Sequence, residues 1–259
     1  MSIPRTLVRA SHRDTVRLPS GTTLEYTLIR SSSELPATPE TVDGQVQKLA
    51  ICLHPWSWLG GRMNDPVLQL LTEPLLERGY DVLRYNSRGV GKSTGWASFT
   101  GSREAEDLKE LVQWARSEMP DLNSLVLAGY SHGSLIASLH PVLDNIQTSH
   151  ILLSYPIGPR HWLTAFHGSH YTNALKSLLH DSRSNVLIIH GDDDNFTSVD
   201  AYDAWVTNLQ KDREALSSSE QAVQSPGKLE VMKVEGASHF WREEDAVGRL
   251  LDIVRSWLP

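Results

Sequence analysis

Short apolar runs that alternate with amphipathic segments constrain the fold of this chain more than any other feature. The runs are too short for confident helices and too apolar for half-exposed strands, so they are typical of strands buried in a parallel sheet. They lie at Leu49–Leu53, Val82–Tyr85, Leu125–Ala128, Ile151–Ser154, Val186–Ile189 and Leu229–Val234. Because the segments between them have helical spacing, the sequence predicts right-handed βαβ crossovers and a doubly wound, mostly parallel α/β sheet of about eight strands.

Two regions depart from this alternation. Apolar residues alternate with polar ones on both sides of a Pro-Ser-Gly turn between Thr15 and Ile29, which predicts a β-hairpin. The stretch from Pro156 to Asn185 separates two predicted strands and is rich in His, Trp, Tyr and Phe. We therefore expect one α/β domain over residues 1–259, with a small cap or lid insertion at about 156–185 in place of a second domain.

Composition and charge exclude several classes of protein. Of the 259 residues, 40% are hydrophobic and 21% are charged, which is ordinary for a globular protein. The formal net charge of −7 disfavours nucleic-acid binding, which needs a basic face. No apolar run reaches the roughly 18 residues that a membrane-spanning helix needs, so we expect no membrane partner.

The single cysteine, Cys52, excludes a disulfide within the chain and a cysteine-based zinc site. The amino-terminal segment from Met1 to His12 has no apolar stretch of signal-peptide length. These features favour a cytoplasmic protein, and the sequence leaves a monomer and a homodimer equally open.

The segment from Leu125 to Ala137 consists of an apolar run, the pattern G-x-S-x-G and a helical segment. This spacing predicts a tight strand-to-helix turn, in which Gly129 and Gly133 avoid Cβ clashes and Ser131 occupies a strained apex. The serine hydroxyl would then project above the carboxyl edge of the sheet, next to the backbone N–H of His132. A glycine-rich turn without catalysis is the less favoured interpretation.

A serine hydroxyl becomes a good nucleophile only when a base removes its proton, and a carboxylate usually orients that base. Downstream, one apolar run ends in the acidic loop Asp192–Asp194, and the last run is followed by His239. The order Ser131, Asp194, His239 places each residue just past the carboxyl end of a strand, where loops converge on a crevice. Asp192 and Asp193 remain alternatives for the acid.

Five motifs together resemble the α/β-hydrolase-fold superfamily, and in particular its small single-domain serine hydrolases with an R-G-V-G-x-S-x-G loop. They cover the chain from about residue 49 to residue 259, and they are G-Y-S-H-G at 129–133, H-G-D-D-D at 190–194, G-A-S-H-F at 236–240, H-P-W at 54–56 and S-R-G-V-G-K-S-T-G at 87–95. The resemblance implies Asp194 as the acid. It also implies an oxyanion hole made by the N–H of His132 and one N–H after Leu53; Pro55 has none, so Trp56 is the candidate and Ser57 the alternative.

Other functional interpretations are weaker. The G-K-S at 91–93 lacks the glycine five positions earlier that a phosphate-binding P-loop needs, because that position is Asn86. The eleven histidines form no recognisable metal motif, so we expect neither a metal nor a cofactor. Aromatic residues in the active-site loops and the cap predict an apolar substrate pocket, although each alone is compatible with ordinary packing; they are Trp58, Trp162, Phe166 and Trp241.

These features favour a serine hydrolase that cleaves a small acyl ester or thioester through an acyl-enzyme intermediate, with a small-molecule acyl substrate as its partner. The alternative is a biosynthetic enzyme of secondary metabolism with thioesterase, cyclase or C–C bond chemistry. A catalytically inactive scaffold is the least favoured hypothesis, because no residue of the expected Ser-His-Asp triad is missing.

Overall fold

The predicted sheet is present in the computed structural model, which describes residues 10–31, 47–98, 100–158, 168–217 and 226–259. Within these ranges eight strands form one sheet in the order β1-β2-β4-β3-β5-β6-β7-β8. The strands are β1 Ser11–Arg17, β2 Thr23–Ile29, β3 Gln47–Leu53, β4 Asp81–Tyr85, β5 Leu122–Tyr130, β6 Gln147–Leu153, β7 Asn185–Asp193 and β8 Lys228–Ser238. The pairs β1–β2 and β2–β4 are antiparallel and the other pairs are parallel, which confirms a mostly parallel α/β sheet.

Six α-helices lie in the described ranges, together with a short 3-10 helix over Ser57–Leu59. They are α1 Pro66–Glu77, α2 Ser102–Glu118, α3 His132–Ala137, α4 Gly168–His180, α5 Val199–Ser217 and α6 Glu244–Trp257. Local signals explain where α1 begins: the side chain of Asp65 accepts a hydrogen bond from the N–H of Val67 at 2.9 Å, and proline occupies the first helical position.

Two apolar layers cover the two faces of the sheet. Along β3, Leu49 and Ile51 pack into the layer that also contains α2, α4 and α5, while Ala50 and Cys52 pack into the layer that contains α1 and α6. Both faces of the central strands are therefore buried, which is why these strands are apolar without interruption. The catalytic candidates are left to the loops at the carboxyl edge.

The stretch predicted as a cap contains a helix of the main body. Within 156–185, α4 buries Tyr171 and Leu175 in the apolar layer that also contains α2 and α5. The Tyr171 hydroxyl donates a 2.7 Å hydrogen bond to the carbonyl of Thr100. Residues 159–167 lie outside the described part of the chain, so the extent of a cap stays a prediction. None of the helices in the described ranges is long and apolar enough to cross a membrane.

Candidate active site

The turn between β5 and α3 holds Ser131 in a conformation that few non-glycine residues adopt, with φ of 53° and ψ of −119°. A Cβ on Gly129 would lie 2.3 Å from the carbonyl oxygen of Gly133, and one on Gly133 would lie 2.3 Å from that of Leu53. Both glycines therefore permit backbone contacts that no other residue allows. The N–H of Ser131 donates to the carbonyl of Leu153 at 2.9 Å, which ties the turn to the neighbouring strand.

The loop after β7 holds one carboxylate through both of its oxygens. Asp194 Oδ1 accepts hydrogen bonds from the backbone N–H groups of Phe196 at 2.8 Å and Thr197 at 3.0 Å, and Oδ2 lies 2.7 Å from His239 Nδ1. The two neighbouring carboxylates are placed differently. Asp192 accepts from the N–H of Gly236 at 2.6 Å, and Asp193 is exposed.

The structure brings the serine and the histidine together. His239 Nε2 lies 3.0 Å from Ser131 Oγ, and the Tyr130 hydroxyl donates a 2.8 Å hydrogen bond to the backbone carbonyl of His239. A carboxylate can only accept, so its partner Nδ1 carries the proton and Nε2 is free to accept one from the serine hydroxyl. The side chains of His239 and Asp194 are 5% and 0% exposed, so little water competes for this contact. This arrangement can activate a hydroxyl nucleophile.

A neutral histidine, His54, makes hydrogen bonds that hold the loop after β3 in place. His54 Nδ1 lies 2.6 Å from the carbonyl of Pro55, and its Nε2 lies 3.0 Å from the N–H of Ser87. Burial lowers the pKa of His54 to about 4, so the ring is uncharged at neutral pH. Trp56 caps the following 3-10 helix, and Gly61 packs against the Pro55 carbonyl, which a Cβ would approach to 2.1 Å.

The loop after β4, which contains the R-G-V-G motif, is held by buried ionic contacts. Arg88 donates two hydrogen bonds to Asp107, at 2.8 and 2.6 Å. Buried Glu25 accepts from the Asn86 side chain at 2.8 Å and from the N–H of Lys92 at 2.9 Å. The motif therefore connects β2, β4 and α2 beside the loop after β3, and its arginine is occupied within the fold.

The side chain of His132 is buried in the protein interior. It is 8% exposed, its Nε2 has no hydrogen-bond partner among the described residues, and burial lowers its pKa to about 4. It borders a cavity of about 20 Å³ together with His54, Ser87 and Glu104. We call His54, Ser87, Glu104 and His132 the buried polar layer.

A larger cavity of about 370 Å³ opens beside Ser131 and His239. Its lining is largely apolar, and it consists of Pro55, Trp56, Leu59, Gly60, Gly61, Asp65, Tyr130, Ser131, Pro156, Phe196, His239 and Phe240. Sequence reasoning did not select Phe196 or Phe240. The available signal was their position, because Phe196 is two residues after Asp194 and Phe240 directly follows His239.

Two predicted pocket residues lie elsewhere. Trp241 has φ of 51°, and this turn directs its ring into the core, where it is 2% exposed and Nε1 donates to Ser154 Oγ at 2.9 Å. Trp58 is 59% exposed and stacks on Trp56 with ring centres 6.3 Å apart, outside the cavity lining. The prediction that these two line the pocket is therefore corrected. Trp162 and Phe166 lie outside the described residues. Across the described ranges, no group of three or more His, Cys, Asp or Glu residues could hold a metal ion.

Comparison with known proteins gives a family match and related structures. The model of the X-Pro dipeptidyl-peptidase (S15) family matches residues 20–144. An uncharacterized protein of Rickettsia prowazekii is 29% identical over 195 residues, which cover 75% of this chain and 72% of that protein.

Three solved structures are similar to nearly the whole chain. An alpha-beta serine hydrolase homologue from Coxiella burnetii has 25% identity and a TM-score of 0.69, over 96% of this chain and 97% of that chain. A serine hydrolase without lid from Xanthomonas campestris has 28% identity and a TM-score of 0.65, over 96% and 95%. An esterase from Pyrococcus furiosus has 21% identity and a TM-score of 0.65, over 100% and 95%, and this is a likeness of fold alone.

Proposed function

The chain belongs to the α/β-hydrolase superfamily, and from this premise we propose that it is a serine hydrolase that cleaves a small acyl ester or thioester. One observation carries the proposal: His239 lies 3.0 Å from Ser131 Oγ through Nε2 and 2.7 Å from Asp194 through Nδ1. In this proposal the three side chains act as a unit at the edge of the apolar cavity.

In the first half of the reaction, Ser131 Oγ attacks the substrate carbonyl while His239 Nε2 takes the hydroxyl proton. Asp194 stabilises the imidazolium that forms and keeps the ring in its productive tautomer. The negative charge on the carbonyl oxygen is stabilised by the N–H of His132 and by that of Trp56, with Ser57 as the alternative. The N–H of His132 begins α3 and so has no partner inside the helix. Each such donor is worth about 3 kcal/mol in the transition state.

In the second half, His239 gives its proton to the departing alcohol or thiol, which leaves an acyl group on Ser131. Water then enters, His239 removes a proton from it, and the resulting hydroxide attacks the acyl carbonyl. Collapse of this second intermediate returns the proton to Ser131 and releases the acid.

The experiment combines labelling with turnover. The wild-type protein should react with a fluorophosphonate probe and hydrolyse an activated ester, and Ser131→Ala should abolish both. Ser117→Ala, at an exposed serine on α2, serves as the matched control and should keep both. Probe labelling that survives in Ser131→Ala, or a wild type that neither labels nor turns over, would refute the proposal.

The aromatic lining of the cavity favours one second candidate, a biosynthetic enzyme with thioesterase, cyclase or C–C bond chemistry. Trp56, Phe196 and Phe240 are poor hydrogen-bonding surfaces for water, so a nucleophile within the substrate could replace water in the second half-reaction. Product analysis separates the two. Free acid favours hydrolysis, whereas a cyclic or carbon-coupled product favours the biosynthetic enzyme.

A further inference from the structure

Three aromatic rings border the imidazole of His239, of which Tyr130 is buried and the other two are exposed. We infer that the two exposed rings bind an uncharged aromatic leaving group of the substrate. The rings belong to Phe196 and Phe240, which we call the aromatic pair. This inference rests on the proposed function and deepens it, because it assigns a substrate class to one side of the cavity.

The chemistry of His239 determines which part of a substrate reaches the aromatic pair. The Nε2 atom that takes the proton from Ser131 must deliver it to the leaving oxygen, which requires hydrogen-bonding distance between the two. Nε2 lies 3.0 Å from Ser131 Oγ, so the leaving oxygen must come beside the same ring edge. The carbon attached to this oxygen then lies among the side chains that pack around the imidazole.

The aromatic pair packs around that imidazole. The ring centre of Phe196 is 4.6 Å from that of His239, with an interplanar angle of 67°, and the centre of Phe240 is 5.7 Å away at 83°. The two phenyl rings meet each other edge to face, with centres 5.8 Å apart. Aromatic rings prefer this geometry, and a further ring can add to it in the same way.

Backbone hydrogen bonds position both phenylalanines next to the proposed catalytic groups. The N–H of Phe196 donates to Asp194 Oδ1 at 2.8 Å, so the carboxylate that orients His239 also fixes Phe196. Phe240 directly follows His239, and its N–H donates to Ser238 Oγ at 3.3 Å. The position of the aromatic pair relative to the reacting atoms is therefore set by the same two loops.

The aromatic pair remains accessible, unlike most rings in the described ranges. Phe196 is 40% exposed and Phe240 is 42% exposed, and both line the cavity. Covering exposed apolar surface is favourable, and the two phenyl rings themselves carry no charge. Arg242 lies 5.0 Å from the centre of the Phe240 ring and covers one face of it, which leaves the rest for a ligand. An uncharged aryl group fits these properties.

The test uses acetate esters of benzyl alcohol, cyclohexylmethanol and ethanol, so that the acyl group is constant and the alcohols are of comparable acidity. We expect wild-type kcat/KM for benzyl acetate to exceed that for ethyl acetate by about tenfold or more, with the cyclohexylmethyl ester between them. Phe196→Leu and Phe240→Leu should each lower the benzyl-to-ethyl ratio by about three- to tenfold, mainly through KM. Met232→Ala, at a 37% exposed residue of β8 outside the cavity lining, should leave the ratio unchanged.

Two outcomes would overturn the inference while leaving the proposed function intact. One is equal kcat/KM for the benzyl and ethyl esters in the wild type. The other is an equal loss for all three esters in both leucine variants, which would mean that the rings only position the imidazole. If no ester is cleaved and Ser131 does not label with a fluorophosphonate, the proposed function itself fails, and the inference fails with it.

Discussion

His239 and His132 are both more than nine-tenths buried, and His132 directly follows Ser131 in the chain, yet the contacts of the two rings differ. His239 has a carboxylate on one nitrogen and the Ser131 hydroxyl on the other, and it faces a cavity of about 370 Å³. His132 has an unpartnered nitrogen among the described residues and borders a cavity of about 20 Å³. Burial alone keeps His132 neutral, whereas the role of base proposed for His239 also requires the paired carboxylate and the open cavity.

The largest effect is expected when the carboxylate beside His239 is replaced. Asp194→Asn keeps the shape of the side chain but offers Nδ1 an amide, so the ring can adopt the wrong tautomer. We expect kcat to fall by about 10⁴-fold with folding retained, as measured by ester turnover and by thermal unfolding. Asp193→Asn is the matched control, because Asp193 is the exposed neighbour, and its activity should stay within about twofold of wild type. Equal losses in both variants would contradict the assignment of the acid.

The second prediction concerns Gly133, whose backbone packs against the end of β3 and the loop that follows it. Gly133→Ala would place a methyl group 2.3 Å from the Leu53 carbonyl oxygen and 2.8 Å from that of His54, and neither backbone group can move without shifting β3. We expect a loss of about 4 kcal/mol or more in the free energy of unfolding, measured by urea titration.

Gly248→Ala is the matched control for this change. A Cβ at that position in α6 meets nothing within 4 Å, so alanine should be neutral or should stabilise by about 0.5–1 kcal/mol. Similar destabilisation by both substitutions would show that the close backbone contacts at Gly133 do not matter.

The third prediction tests the buried polar layer by pH. Burial lowers the pKa values of both His54 and His132 to about 4, below the ordinary value of 6.5 that applies when the chain is unfolded. The unfolded state therefore binds more protons in this range, so stability is fully present above pH 6.5 and is lost as the pH falls toward 4. Each histidine should account for about 3 kcal/mol across that window.

The measurement compares urea unfolding of wild type and His132→Leu between pH 7 and pH 4.5. Leucine has a similar size and no titrating group, so the variant should lose less stability than wild type over this range. Parallel stability curves for the two proteins would rule out the contribution assigned to His132.

The smallest effect is expected when one of the two contacts between Ser87 and His54 is removed. Ser87→Ala removes a hydroxyl that lies 2.9 Å from His54 Nε2 and keeps the N–H at 3.0 Å. We expect a loss of about 1 kcal/mol in unfolding free energy. Ser256→Ala, at an exposed serine of α6, should change stability by less than about 0.5 kcal/mol. A loss of 3 kcal/mol at Ser87 would mean that the hydroxyl, and not the N–H, holds His54.

The sheet could be predicted from the sequence because its signals are local. The apolar run Val186–Ile189 lies inside β7, and the run Leu125–Ala128 lies inside β5. Periodicity and turn residues report such elements directly. The spacing of G-Y-S-H-G also indicates a strand followed by a helix, and the structure has β5 and α3 at that place.

The pocket could not be predicted in the same way, because side-chain direction in loops depends on backbone angles that periodicity does not encode. The positive φ of Trp241 sends its ring into the core, while its neighbour Phe240 faces the cavity. Trp58 illustrates the same limit, since the 3-10 helix after Trp56 leaves its ring on the surface.

The contact between Gly133 and the Leu53 carbonyl has a consequence for how this molecule can change over time. The turn that holds Ser131 and the loop after β3 contact each other through backbone atoms alone, so neither can be lengthened or shifted without a matching adjustment in the other. Substitutions at the outer rim of the cavity, such as those at Phe196 and Phe240, do not touch this backbone contact, so substrate preference can change there without disturbing it. A change at the backbone contact itself requires coordinated substitutions in both turns.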